Sequence, residues 1–144
     1  MILDWSKIDT ILLDMDGTLL DLHFDNYFWL THLPARYAEH FKLDLAVVTK
    51  QIHSQLMAHR GKLKWYSTDF WSREFGVDIM ALKREIKHLI NERPQALAFL
   101  ETLAAQGKQQ LLVTNADRES LKLKFAQTAI AKYFDHIVSS HDYG

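Results

Sequence analysis

Apolar and polar positions follow two different rhythms along the 144-residue chain. Short unbroken apolar runs lie near its start and near its end, and between them apolar residues recur every three or four positions. Ile8 and Ile11-Leu12-Leu13 leave little polar surface on either face, which predicts a strand buried on both sides in a parallel sheet. Gln110-Leu111-Leu112-Val113-Thr114-Asn115 predicts a second buried strand, and Phe134 to Ser140 a third. From Asn26 to Arg93 no strand pattern occurs, and the longer spacing predicts helices over about 26–41, 44–60, 65–75 and 78–92. In the last of these Ile79, Leu82, Ile86, Leu89 and Ile90 share a face, with Lys83, Arg84, Glu85 and Lys87 mostly opposite. Asp44 and Asp78 are expected N-caps, and Gly61 and Gly76 expected stops. After Pro94 a helix carrying Leu97, Leu100 and Leu103 ends at Gly107. Another spans 117–131 with Leu121, Phe125, Thr128 and Ala129 inward.

The first strand runs straight into Asp14-Met15-Asp16-Gly17-Thr18. In extended backbone, residues two apart point the same way, and Gly17 lets the chain leave the strand without a Cβ in the way. Two carboxylates held that close favour a metal cation between them or a proton on one of them. That is a site for phosphoryl chemistry. A surface turn fits poorly behind four buried aliphatics. A calcium loop needs glycine sixth and glutamate twelfth; counted from Asp14, those places hold Leu19 and Asp25. At the end of the second strand, Thr114 and Asn115 precede a helix starting near Asp117, where free N–H groups favour an anion.

Asp14-Met15-Asp16-Gly17-Thr18 after an apolar strand resembles the first signature of the haloacid dehalogenase-like (HAD) hydrolases. The resemblance implies Asp14 as nucleophile, forming an aspartyl-phosphate, and Asp16 as the acid that protonates the leaving alkoxide and then deprotonates water. An Asp at the second position implies phosphomonoester substrates. It further implies Mg²⁺ at Asp14 and Asp16, and phosphoryl binding by Gly17, Thr18, Thr114 and Asn115, Thr114 being the second signature. The implied fold is α/β: a partial Rossmann-like core, three-layered around a parallel sheet, formed by residues 1–22 and 94–144. An all-helical cap, 23–93, is inserted into it. Leu22 to Trp29, Leu63-Lys64-Trp65-Tyr66 and Asp69-Phe70-Trp71 are similar to the bacterial purine 5′-nucleotidase branch, which acts on GMP and IMP. With such a substrate Trp29, Trp65 or Tyr66 is expected to stack on the base and Asn26 or Asp25 to bond its edge, while most of the aromatics pack.

Composition narrows the remaining classes. Hydrophobic content of 48% and a net charge of −1 are those of an ordinary globular protein, with no charge block for nucleic acid. Asp14 and Asp16 interrupt the most apolar stretch, which excludes a membrane span there. Residues 1–10 do not form a signal peptide, and the absence of cysteine permits a reducing compartment, so a cytoplasmic protein is expected. The histidines lack zinc-site spacing. A phospho-receiver domain fits poorly, because its phosphorylated Asp follows a later strand and its acidic pair is adjacent.

The third family signature, a lysine beyond the third strand, and the fourth, an acidic pair, have no counterpart; Lys108, Lys122 and Lys124 lie in the wrong segments. The chain is therefore expected to be truncated relative to the family, with the first strand at a sheet edge and open to self-association. Two functions follow: a Mg²⁺-dependent phosphatase acting on a small phosphorylated substrate such as a purine nucleotide, or an impaired remnant that binds phosphate or a partner without turnover.

Overall fold

The computed structural model describes residues 3–144, so the first two positions of the expected 1–22 segment lie outside the described residues. Five helices follow the first strand: α1 (His23–Tyr27), α2 (Leu33–Phe41), α3 (Leu45–Ala58), α4 (Thr68–Phe75) and α5 (Ile79–Glu85). A wide π-helical turn, Phe28–His32, fuses α1 to α2. Then come α6 (Ala96–Ala105) and α7 (Arg118–Gln127), which alternate with strands. The strands β1 (Thr10–Leu13), β2 (Gln109–Thr114) and β3 (His136–Ser139) form one parallel sheet in the order β1-β2-β3. Leu13 lies beside Leu112 and Thr114 beside Ser139, so all three strands end along one edge. In open parallel sheets that edge is where ligands bind.

One sheet face is buried and the other is not. Leu13, Gln110, Leu112, Thr114 and Ser139 are buried, and the Gln110 side chain donates to the Leu100 carbonyl of α6. Leu12 and Val113 point the other way and are 65% and 41% exposed. The expectation of a first strand buried on both sides is therefore corrected. β1 is an outer strand of the sheet, as expected, and continuous apolarity does not require two covered faces.

The helical boundaries follow local chemistry. Asp44 accepts from the Val47 N–H and Asp78 from the Ala81 N–H, both as N-caps. Gly76 terminates α4 in the left-handed region. The stretch expected as 65–75 divides, because Ser67 is extended and caps the Phe70 N–H. The stretch expected as 78–92 stops at Glu85, where Ile86 leaves helical geometry. Helix α7 ends at Gln127 rather than 131, and fully buried Ile130 anchors the chain just beyond it. Phe24, Phe28, Leu33, Trp71 and Ile79 are almost wholly buried, each side chain contributing roughly 1.5–3 kcal/mol of transfer free energy. The chain leaves and rejoins the sheet at one place. Asp21 N–H bonds the Asn91 carbonyl at 3.1 Å, and Arg93 N–H bonds the Leu19 carbonyl at 2.8 Å.

Candidate active site

The loop after β1 separates its two carboxylates. The Met15 carbonyl accepts the N–H groups of Thr18, Leu19 and Leu20 at 3.3, 2.9 and 3.0 Å, which folds the chain back at once. Gly17 sits at φ +80°, where a side chain would be strained, and its carbonyl accepts from the Arg93 guanidinium at 2.8 Å. Asp14 is consequently exposed at the strand end, whereas the Asp16 side chain is turned inward and 28% exposed.

Asp16 enters a chain of alternating charges. Lys124 Nζ of α7 donates to Asp16 Oδ1 at 2.6 Å and to Asp25 Oδ2 of α1 at 2.7 Å. Lys83 Nζ of α5 approaches the other Asp25 oxygen at 3.7 Å. Both lysines are buried, so two expectations are corrected: Lys124 does reach the carboxylate loop, and Lys83 does not lie on a solvated face. Lys83 is also covered by the rings of Phe24, Phe28 and Trp29, whose centroids are 5.3–5.7 Å away. Burial pushes the Asp16 carboxyl above its usual range, with Lys124 opposing. For Asp25, burial acts upward, but Lys124 and Lys83 overcome it and hold the carboxyl below that range. Burial lowers Lys83; for Lys124 the same burial is outweighed by Asp25 and Asp16, which raise it.

A cavity of about 400 Å³ opens over this chain. Asp16, Asp25, Lys83 and Lys124 are in its lining, together with Trp29, Trp65, Tyr66, Asn26, Arg60 and Met57. The three aromatics singled out in the sequence thus share one cavity, while Phe28 and Trp71 are core. Asn26 and Asp25 both face it, Asp25 with its carboxylate engaged by two lysines. Of the six sequence-predicted site residues, Asp16 alone lines this cavity among the described residues.

Asp14, Gly17 and Thr18 lie in the loop after β1, Thr114 is the last residue of the neighbouring strand β2, and Asn115 follows it. Thr114 Oγ1 is buried and accepts the Ala116 N–H at 3.1 Å, and Asn115 Oδ1 accepts from the Ser140 hydroxyl at 2.5 Å. The start of α7, expected to attract an external anion, is capped from within. Asp117 accepts from the Ser120 N–H at 2.9 Å and reaches across to Thr68. Burial acts to raise the Asp117 carboxyl, but the Thr68 hydroxyl and the Ser120 and Thr68 N–H groups hold it below its usual range.

For a hard cation the residues fit in part. No group of three or more acidic or histidine side chains converges among the described residues. Mg²⁺ needs only one or two carboxylates beside water and substrate oxygens. Asp14, exposed and without a hydrogen bond among the described residues, suits that role; Asp16, with Oδ1 on an ammonium, suits it less.

A carboxylate-centred site at the C-terminal edge of a parallel sheet, with helices inserted after the first strand, defines an α/β protein of Rossmann-like type. A family model for haloacid dehalogenase-like hydrolases matches residues 8–144, and the chain belongs to that family. It is 38% identical over 140 residues to the GMP/IMP nucleotidase YrfG of Escherichia coli (strain K12), and equally to that of Shigella flexneri. Both alignments cover 97% of this chain but 63% of the relative, so the chain spans less than two thirds of their length. Its fold is similar to that of a HAD phosphatase from Thermococcus onnurineus, with a TM-score of 0.81 and 21% identity over 94% of this chain and 63% of that one.

Proposed function

We propose that the protein is a phosphomonoester hydrolase in which Asp14 is the nucleophile and Asp16 the general acid and base. The observation that carries this reading is the contrast between the two carboxylates. Asp14 is exposed at the strand end, while Asp16 faces the cavity with its carboxyl raised by burial. Burial shifts Asp16 towards its protonated form, which favours it over Asp14 as the proton donor, the division of labour two-carboxylate sites use. An Asp14 oxygen attacks phosphorus, the ester P–O bond breaks, and Asp16 passes its proton to the departing alkoxide. Asp16, now ionised, takes a proton from water as that water attacks the phosphoryl group. The P–O bond to Asp14 then breaks and phosphate leaves. Gly17, Thr18, Thr114 and Asn115 flank the phosphoryl group in this reading. Asp14, and less readily Asp16, would hold Mg²⁺, which would supply positive charge to offset the negative charge on the phosphoryl group.

Helical stretch 23–93 serves as the cap over core segments 1–22 and 94–144. A purine 5′-nucleotide is the proposed substrate, supported by the names of the two nucleotidase relatives and by Trp29, Trp65 and Tyr66 in the cavity wall. No described helix is long and apolar enough to cross a membrane, and a cytoplasmic site of action belongs to the same proposal. So does self-association of residues 1–144 through β1, measured as mass against concentration.

The reading is tested on the full-length protein with a nucleoside 5′-monophosphate and 4-nitrophenyl phosphate. Asp14→Asn should abolish acid-stable phosphoenzyme and turnover of both. Asp16→Asn should slow phosphoenzyme formation from the nucleotide about 10²–10⁴-fold, the usual range for a lost general acid. Formation from the aryl ester should slow far less, because its leaving group departs without a proton. Hydrolysis of the phosphoenzyme, which needs Asp16 as base, should slow alike for both. Equal losses in the first step on both esters would remove Asp16 from the acid role.

A further inference from the structure

We infer that Lys124 is a positioning residue: by bonding Asp16 and Asp25 together it fixes the carboxylate facing the cavity and makes that fixing depend on the seating of α1. This rests on the acid role proposed for Asp16.

The only hydrogen bond to the Asp16 carboxylate among the described residues is the one from Lys124, at 2.6 Å. Asp16 stands on the loop after β1, where an isolated bridge to Leu20 holds its backbone and Lys124 alone among the described residues bonds its carboxylate. Lys124 in turn has little freedom. Its side chain is 4% exposed, its Nζ lies 5.7 Å from the Phe24 ring centroid, and two of its three N–H donors are taken by Asp16 and Asp25. Asp25 belongs to α1, just after the chain leaves the sheet, and Lys83 of α5 stands 3.7 Å behind it. Four alternating charges thus run from the helical stretch into the catalytic loop. If α1 shifts, Asp25 withdraws from Lys124, and the ammonium is free to follow it or to swing across Asp16. A catalytic carboxylate displaced by even about 1 Å loses rate steeply.

Asp25→Asn tests this, because it keeps the side-chain shape and leaves the Lys124–Asp16 bond without its second anchor. In the full-length protein it should slow phosphoenzyme formation from a nucleoside 5′-monophosphate about 10-fold or more, leave the affinity for that substrate within about threefold, and spare phosphoenzyme formation from 4-nitrophenyl phosphate. In the Asp16→Asn background the same substitution should have almost no further effect on the nucleotide, since no acid remains to be positioned. Lys124→Met is the second variant and should show the same selective loss. Losses in phosphoenzyme formation equal on both esters, additivity with Asp16→Asn, or failure of both variants to fold would make the bridge purely structural and overturn the inference. If the unsubstituted protein hydrolyses neither ester, it is the proposed function that fails.

Discussion

Asp117 accepts two hydrogen bonds from Thr68, from its N–H and its hydroxyl, each 2.6 Å long. One carboxylate therefore caps α7 through Ser120 and also holds the first turn of α4, 49 residues away. Asp117→Ala should cost about 2–3 kcal/mol, combining a lost cap with lost charge-assisted hydrogen bonds. Urea unfolding measures it. A change below about 0.5 kcal/mol, the level of an ordinary surface substitution, would show that the link contributes little.

Asp25 gives a pH dependence of known sign. Its folded-state carboxyl lies below the ordinary 3.8, so the unfolded chain binds the proton more readily. The stability it contributes is full above 3.8 and is lost as the pH falls through the depressed folded value. Asp16 is opposite: raised in the folded state, it contributes stability below 3.8 that is lost as the pH rises through its raised value. The stability difference between the unsubstituted chain and Asp25→Asn should therefore be larger at about pH 6 than at about pH 3. A difference that grows towards acid would contradict the assignment.

The two buried lysines should respond differently to removal of charge. Lys83→Met replaces an ammonium packed on Phe24, Phe28 and Trp29 by an apolar chain, and Asp25 keeps its 2.7 Å bond to Lys124. Its cost should stay within about 1 kcal/mol. Lys124→Met leaves both Asp16 and Asp25 without their nearest cation and should cost about 3–5 kcal/mol. Denaturant melts of the two variants decide, and the reverse order would refute the charge chain as described.

Stacking in the cavity is separable from packing. Replacing Trp29, Trp65 or Tyr66 by Leu should raise KM for a purine nucleotide severalfold to about a hundredfold, as expected for roughly 1–3 kcal/mol of base stacking. Small phosphate esters should be nearly unaffected. Trp71→Leu provides the contrast: at 1% exposure it should lower stability and act on all substrates alike. A residue whose loss harms every ester equally is packing.

The α/β class, the three strands and the carboxylate loop were legible in the sequence because each is a local signal. Four-residue apolar runs, Asp44 and Asp78 as caps, Gly76 as a stop and the Asp14-to-Thr18 sequence need no distant partner to be recognised. Coverage of the sheet was not local. Leu12 has the residue type of a buried strand, yet its exposure is set by which elements pack on that face. The lysines show the same limit in the site itself. Lys124 is three residues after Leu121 and four before Thr128, and Lys83 is four after Ile79 and three before Ile86, so helical spacing placed both on the inward faces. Residue type put Lys83 on the polar face, and its segment set Lys124 aside. What overrode that assignment are carboxylates 99 and 108 residues away from Lys124, and an ammonium is buried only where the fold brings such partners to it.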